Sequence, residues 1–314
     1  MKALIFPGQG TQAIGMGKEI YNSFPVAKAV YEEINESIGY KIEDVIFKGT
    51  EQDLAATDKS QIAIMATSVA VINVLIKEFN FDLHKHINFV AGHSLGEYSA
   101  LLTAGAFNVS VAAKLLKLRG EAMLGASPLG FSGMVAIIGL NDNKLINKMI
   151  AECKVPDEVC NIAADNGVGQ VVISGHKQSL DNIIAKAQDY GARKAISLPV
   201  SGAFHSPLMQ SAAEKVAIAL ADISIKPLHV ALVPNVTAKA TKDSSDIKEL
   251  LVKQIVEGVR WRESMLYLQS QGVTEVIEVG NGSVLTGLMK RTAPNVARVN
   301  LQFPKDIENF MKNI

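Results

Sequence analysis

The chain has 314 residues, which at about 150 residues per domain corresponds to two domains or one large one. Its content of 48% hydrophobic and 20% charged residues is typical of a globular protein with a sizeable core and excludes wholesale disorder. The 31 basic and 31 acidic residues give a formal net charge of zero, which argues against general nucleic-acid binding, because such binding needs surplus positive charge.

Short runs of β-forming residues alternate with longer helical patterns along the chain. Strands are predicted at residues 3–6, 89–92, 134–140, 159–164, 171–174, 195–199, 230–233 and 276–279. Helices are predicted at residues 17–37, 61–79, 95–104, 111–125, 142–153, 177–190, 207–221, 244–257, 262–271 and 283–291. This alternation predicts an α/β fold with a largely parallel sheet.

The stretch 127–198 has its own succession of elements. It opens with the turn residues Ser127-Pro128-Leu129-Gly130 and continues in β-α-β-β-α-β order, which is the ferredoxin-like pattern. We therefore predict a small ferredoxin-like domain at 127–198, inserted into a larger α/β domain formed by residues 1–126 and 199–314. The cleft between the two domains is the expected place for a ligand.

The cysteine content and the apolar segments bear on location. Cys153 and Cys160 are the only cysteines, and their spacing suggests neither a disulfide framework nor a metal site. Two sparse thiols suit a reducing compartment. The first apolar run stops at Pro7, too early for a signal peptide, and residues 62–76 are too few for a membrane span. We therefore expect a cytoplasmic protein with no membrane partner.

The sharpest local motif is Gly92-His93-Ser94-Leu95-Gly96, a G-x-S-x-G between a predicted strand and a predicted helix. A sharp turn of this kind exposes the serine hydroxyl at the helix N-terminus, and the glycines let the backbone pass closely. The Leu95 N–H can then point at a developing oxyanion, which the helix dipole also favours. A glycine-rich connection without chemistry is the alternative, but the flanking strand and helix favour a nucleophile at Ser94.

A serine hydroxyl is a weak nucleophile and needs a base. His205 lies in a turn-rich loop between a predicted strand and a predicted helix, where catalytic residues tend to cluster, and we predict it as the base. His93 adjoins the nucleophile and is given at most a supporting role, because neighbouring side chains on a tight turn diverge. The other histidines are assigned to solvent, to a helix start or to a half-buried position: His84, His86, His176 and His229. No acidic residue occupies an obvious third position, and the chain continues far beyond His205, unlike that of a plain α/β-hydrolase.

The segment FPGQGTQ at residues 6–12 follows the first predicted strand. A dinucleotide-binding loop is one interpretation, although Gly8, Gly10 and Ala13 match only the loose form of that fingerprint. A P-loop fits less well, because its lysine would have to be followed by Ser or Thr. The turn could instead lie close to Ser94 and supply the Gln9 N–H as a second oxyanion donor.

Arg119 precedes Gly120 on the predicted helix that follows the serine helix. A charged side chain on a helix is usually solvated, but Gly120 thins the helix beside this guanidinium. An inward-pointing arginine would need a carboxylate, which it binds through two parallel hydrogen bonds.

With these segments taken together, the sequence resembles the malonyl-CoA:acyl-carrier-protein transacylases, the acyltransferases of bacterial fatty-acid synthesis. The shared motifs are FPGQG at 6–10, GHSLGEYSAL at 92–101, RGEAM at 119–123, GQVVISG at 169–175, LPVSGAFHSPLM at 198–209 and EVGNGSVLTGLMKR at 278–291. The resemblance covers nearly the whole chain. It implies a hydrolase-like α/β domain with a ferredoxin-like insertion, malonyl-CoA as substrate, acyl carrier protein as partner, and neither a cofactor nor a metal.

The resemblance also implies individual roles. Ser94 would be the acylated nucleophile, His205 its base, and the backbone carbonyl of Gln254 would hold the histidine in place of an acid. The Gln9 and Leu95 amides would form the oxyanion hole. Arg119 would bind the malonyl carboxylate. The Ala203-Phe204 pair before His205 is similar to malonyl-selective relatives, which favours an unbranched malonyl group.

Three positions depart from the family pattern: Asn281 stands where proline is frequent, and Ala164 and Val168 stand where asparagine and proline are expected. These departures concern the small-domain wall of the cleft. Asn166 does match a family asparagine in the same loop, and it is kept as a supporting residue with His93.

Two other classes of function stay open from the residues alone. A serine hydrolase or thioesterase acting on acyl-CoA would share the serine and the histidine, and an acyl-CoA-binding module would bind without becoming acylated. Because the family's carrier protein is acidic, a positive patch at the cleft mouth is expected. Its candidates are Lys290 with Arg291, or Arg193 with Lys194.

Overall fold

The structure, a computed structural model, describes all 314 residues. The strands are β1 Lys2–Phe6, β2 Phe89–Gly92, β3 Ser132–Ile138, β4 Cys160–Gly167, β5 Gln170–His176, β6 Lys194–Ser197, β7 Ala231–Leu232, β8 Glu275–Val279 and β9 Ala297–Leu301. The helices are α1 Lys18–Ser23, α2 Pro25–Ile38, α3 Ile42–Lys48, α4 Glu51–Ala55, α5 Thr57–Lys77, α6 Leu83–His86, α7 Gly96–Thr103, α8 Val109–Leu124, α9 Asn143–Cys153, α10 Lys177–Lys186, α11 Gln210–Ala221, α12 Ile247–Val256, α13 Trp261–Ser270, α14 Val284–Thr292 and α15 Pro304–Lys312. Short 3-10 turns follow α10 at Ala187–Tyr190 and precede α11 at Pro207–Met209.

The larger sheet has the order β7-β2-β1-β8-β9, and every neighbouring pair is parallel. The predicted α/β class with a mostly parallel sheet is therefore confirmed. The central strand β1 is apolar and fully buried after its first residue, as expected for a parallel strand covered on both faces. Because parallel strands present their carboxyl ends at one edge, the loops after β1, β2 and β7 lie side by side there.

The second sheet has the order β4-β5-β3-β6 with antiparallel pairing throughout. Helices α9 and α10 pack on it and enclose a separate core of 13 buried residues, distinct from the main core of 78. Its edge strand β4 is tied to the loop between α12 and α13, because the Asp165 N–H donates to the Val259 carbonyl (2.9 Å) and the Val259 N–H to the Ala163 carbonyl (2.8 Å). An ion pair between Arg262 and Asp165 (2.6 Å) lies beside these bonds.

Several elements differ from the sequence-based prediction. Residues 17–37 are not one helix: Phe24 is extended (φ −130°), because a residue before proline avoids the helical region, and Pro25 begins α2. The strand predicted at 230–233 is reduced to the two residues of β7. The prediction missed β9, where Arg298 and Asn300 interrupt the apolar pattern at the edge of the sheet, and also α3, α4, α6 and α15.

Helix α5 is the one helix long and apolar enough to cross a membrane, and 83% of its apolar window is buried inside the protein. It packs against α2 and α8. Helix α8 approaches α5 closely at Gly120, where a Cβ would lie 2.6 Å from the Asp58 Cα and 3.0 Å from the Thr57 carbonyl oxygen. This contact places the first turns of α5 beside Arg119.

Gly120→Ala is expected to lower the free energy of unfolding by about 1–3 kcal/mol, because the new methyl group must push α8 away from backbone atoms of α5. Urea denaturation monitored by circular dichroism measures this loss. Gly125→Ala at the end of the same helix is the matched control, since its Cβ would meet no heavy atom closer than 3.5 Å. Equal stability of the two variants would contradict the steric argument.

Candidate active site

The serine turn joins β2 to α7 and is held in a strained conformation. Ser94 has a φ of 52°, a left-handed geometry that a non-glycine residue keeps only when its surroundings impose it. A Cβ at Gly92 would lie 2.0 Å from the Gly96 carbonyl carbon, and one at Gly96 would lie 2.3 Å from the Phe6 carbonyl oxygen. Both glycines of the motif are therefore required by the packing of the turn.

His205, the base proposed from the sequence, lies against the serine. Its Nε2 is 2.8 Å from the Ser94 Oγ, and its Nδ1 is 2.6 Å from the backbone carbonyl oxygen of Gln254. A carbonyl oxygen can only accept, so Nδ1 carries the hydrogen and Nε2 presents its lone pair to the serine hydroxyl. The Gln254 carbonyl thus selects the tautomer that a general base needs.

Burial keeps the histidine uncharged. Desolvation, with the nearby positive charge of Arg119, lowers the pKa of His205 to about 3. The loop that carries it is anchored to the small sheet, because the Ser174 hydroxyl donates to the Phe204 carbonyl (2.5 Å) and the Asn161 amide to the His205 carbonyl (3.0 Å). The histidine is therefore held by Gln254 of α12 on one side and by the smaller sheet on the other.

Arg119 is 1% exposed and points into the same site. One terminal nitrogen donates to the Ser94 Oγ and to the Gln254 side-chain oxygen, both at 3.1 Å, and the other donates to the Gln61 side-chain oxygen at 2.6 Å. No carboxylate lies within ion-pair distance of the guanidinium, and its Nε has no partner. A buried cation with neutral partners only is a site for an anionic group.

The backbone N–H groups of Gln9 and Leu95 donate no hydrogen bond within the chain. The glycine loop that carries Gln9 is pressed against the serine turn, since a Cβ at Gly8 would lie 2.5 Å from the His93 carbonyl oxygen. The His93 N–H in turn donates to the Phe6 carbonyl (3.0 Å). The loop thus lies beside the serine turn, which supports the interpretation of residues 6–12 as an oxyanion donor over a dinucleotide cradle.

The two supporting residues predicted from the sequence contact each other. The His93 Nε2 is 2.7 Å from the Asn166 side-chain oxygen, and the imidazole packs on the Trp261 ring at 5.4 Å. Burial lowers the pKa of His93, which favours a neutral ring. This pair links the serine turn to β4, and it shares no hydrogen bond with the Ser94 hydroxyl.

The three positions that depart from the family pattern lie in different parts of the structure. Asn281 donates to the Thr11 carbonyl (2.5 Å) and accepts from the Gln302 amide (2.7 Å), so it ties the glycine loop to the loop after β9. Ala164 is buried at a register shift of β4, and Val168 is exposed in the turn between β4 and β5. The candidate docking residues Arg193, Lys194, Lys290 and Arg291 are all exposed.

Sequence reasoning gave no role to three residues of this site. Asn235 follows β7 after Val233 and Pro234, at the same sheet edge as the serine turn. A polar residue shortly after a predicted parallel strand was a usable signal. Gln61 lies on a helix distant in sequence, where no motif marks it. Glu97 stands inside the serine motif itself. Among the metal-ligating side chains, no group of three is placed to hold an ion.

The comparisons with known proteins agree over the whole chain. The family model described as Acyl transferase domain matches residues 3–313. The chain is 40% identical over 308 residues to the malonyl CoA-acyl carrier protein transacylase of Bacillus subtilis (strain 168), covering 98% of this chain and 95% of the relative. It is 36% identical over 302 residues to the protein of the same name from Escherichia coli (strain K12), covering 96% of each.

Solved structures give the same result. The acyl-carrier-protein-S-malonyltransferase of Bartonella henselae superposes with a TM-score of 0.94 at 39% identity, covering 99% of this chain and 98% of that chain. A malonyl-transacylase solved in complex with its type II PKS acyl-carrier protein superposes with a TM-score of 0.95 at 33% identity, covering 100% and 99%.

The pH response of His205 tests its buried, neutral state. In the unfolded chain a histidine titrates near pH 6.5, whereas the folded pKa is about 3. Between these values the unfolded state binds the extra proton, so the free energy of unfolding falls as the pH drops below 6.5. The His205→Gln variant should lose this part of the pH dependence in urea denaturation from pH 7.5 to 5. A wild-type ring resonance that is missing from the His205→Gln spectrum and that titrates near pH 6.5 by NMR would contradict the buried, neutral state of His205.

Proposed function

The chain belongs to the acyl transferase family, and from this premise we propose that it transfers the malonyl group of malonyl-CoA to the phosphopantetheine thiol of acyl carrier protein. This reaction supplies fatty-acid biosynthesis. The observation that carries the proposal is a buried guanidinium 3.1 Å from a serine hydroxyl, because it sets a carboxylate-binding cation beside a nucleophile. We expect the enzyme to act in the cytoplasm and to need neither a cofactor nor a metal.

The first half-reaction loads the enzyme. With the malonyl carboxylate on Arg119, the Ser94 Oγ attacks the thioester carbonyl while the His205 Nε2 takes the hydroxyl proton. The oxyanion accepts hydrogen bonds from the Gln9 and Leu95 amides. The carbon–sulfur bond then breaks, and the CoA sulfur leaves with the proton held by the imidazole.

The second half-reaction reverses the first with a new thiol. The phosphopantetheine thiol of the carrier protein gives its proton to His205 and attacks the malonyl-serine ester. The ester bond breaks, the Ser94 oxygen recovers the proton, and malonyl-carrier protein leaves. CoA departs before the carrier enters, so the scheme is ping-pong.

We also infer that residues 127–198 form a ferredoxin-like domain inserted into a hydrolase-like domain made of 1–126 and 199–314. The succession β3-α9-β4-β5-α10-β6, the strand order of the smaller sheet and its separate core support this division. The site would then lie between the two domains, with the acidic carrier protein approaching over Arg193 and Lys194 or over Lys290 and Arg291.

Ser94→Ala is expected to abolish acylation, because no other hydroxyl lies against His205. Intact-mass spectrometry after brief exposure to malonyl-CoA should find one added malonyl group on the wild type and none on this variant. Ser99→Ala replaces a buried serine on α7, the helix that follows the nucleophile; this variant is the matched control and should still be acylated. Retained acylation of the Ser94 variant would refute the nucleophile.

The same experiment separates transfer from hydrolysis. In the absence of carrier protein the malonyl-enzyme of a transferase persists, and added carrier discharges it. Rapid loss of the added mass to water alone would favour the second candidate, a thioesterase.

Arg119→Ala should reduce kcat/KM for malonyl-CoA on the order of 10²–10⁴-fold, since loss of one partner of a buried ion pair costs about 3–5 kcal/mol. Acetyl-CoA has no carboxylate, so its slow acylation of Ser94 should change much less. Steady-state kinetics with both thioesters measure the ratio, and Lys117→Ala on the same helix is the control. Equal losses for the two substrates would rule out the carboxylate role.

A further inference from the structure

A buried carboxylate behind the serine turn has no part in the steps above. Glu97 lies in the first turn of α7, three residues after the nucleophile, and is fully buried. Its Oε2 accepts hydrogen bonds from the Asn235 backbone N–H (2.8 Å) and from the Gln254 side-chain amide (3.0 Å). One carboxylate oxygen thus joins α7 to the loop after β7 and to α12.

Both partners of Glu97 hold reacting groups directly. Gln254 accepts from His205 through its backbone carbonyl and from Arg119 through its side-chain oxygen. Asn235 accepts from the Ser94 backbone N–H (2.8 Å) and donates to the Gly92 carbonyl (2.7 Å), so it clamps the turn from both sides.

The Gln254 amide can point in only one direction. Its nitrogen donates to Glu97 and to the Ser94 carbonyl (3.0 Å), which turns its oxygen toward the guanidinium of Arg119. The reversed amide would set its oxygen against the ionised carboxylate, where both groups only accept. It would also set its NH2 against the guanidinium, where both groups only donate, so neither hydrogen bond could form.

The length of the Glu97 side chain matters more for these two hydrogen bonds than its charge does. Burial raises the pKa of this carboxyl to about 7, and its Oε1 has no partner. A proton taken up on Oε1 leaves Oε2 free to accept from Asn235 and Gln254. The groups facing the carboxyl are Arg119 and the Tyr98 hydroxyl, and neither lies within hydrogen-bond distance of it.

We propose that Glu97 is a positioning residue for malonyl transfer, which fixes the Gln254 amide and the Asn235 loop and through them orients Arg119 and the serine turn. This role rests on the function proposed above. It requires an acceptor at the exact length of a glutamate side chain, because a shorter side chain leaves two buried donors without a partner.

Two conservative variants separate reach from charge. Glu97→Gln keeps the length and one acceptor oxygen, and its rate of malonyl-Ser94 formation by rapid quench and intact mass should stay within about threefold of the wild type. Glu97→Asp keeps the charge and loses one methylene of reach, so its rate should fall about 10- to 100-fold. The fall with acetyl-CoA should be smaller, because only the malonyl carboxylate depends on an oriented Arg119.

The outcomes are decisive once the wild type has been tested. A wild type that forms no malonyl-enzyme refutes the proposed function. If the wild type is acylated but the acylation rates of the two variants do not follow the expected order, only the role of Glu97 is refuted. An aspartate variant as fast as the wild type, a glutamine variant slower than the aspartate one, or equal losses for malonyl and acetyl would each overturn it. Thermal unfolding checks that both variants fold. If Glu97→Asp does not fold, Glu97→Gln decides, since a loss above about tenfold contradicts an acceptor role.

Discussion

The hydrogen bond from the His205 Nδ1 to the Gln254 backbone carbonyl, 2.6 Å long, decides which imidazole nitrogen faces Ser94 without a proton. A carbonyl fixes the tautomer of the imidazole without bringing a negative charge near it. A carboxylate in that place would raise the pKa of His205, and it would also neutralise Arg119 a few ångströms away. Because the orienting group is neutral, the guanidinium keeps only neutral hydrogen-bond partners, as the proposed binding of a substrate carboxylate requires.

The fold supplies this arrangement through the parallel sheet. The carboxyl ends of β1, β2 and β7 bring the glycine loop, the serine turn and the Asn235 loop to one edge, where glycines allow their backbones to touch. The left-handed conformations of Ser94 and His205, with φ of 52° and 57°, are held by this network and by the bonds from the smaller sheet.

The sequence predicted the fold class and the residues with local signatures. Ser94 stands in a turn motif, and Gly120 marks the close helix contact that lets Arg119 turn inward. The break at Phe24 was missed, although it could have been predicted because proline follows it. Gln61 and the Gln254 side chain could not be assigned in this way, since their function depends on which atoms face Arg119 across α5, α8 and α12. Such tertiary contacts leave no periodic or motif signal.

The selectivity expected of this site follows from desolvation. Arg119 is buried among neutral acceptors and the Tyr98 ring, 5.8 Å away, so its charge has lost water without gaining an ion pair. In the proposed reaction a bound malonyl group would supply the missing negative charge, and the interaction would be strong because the surroundings are dry. An acetyl group has no carboxylate and would leave the guanidinium without an ion pair. Discrimination between the two acyl groups therefore arises from the free energy of the unoccupied site as much as from the contact itself.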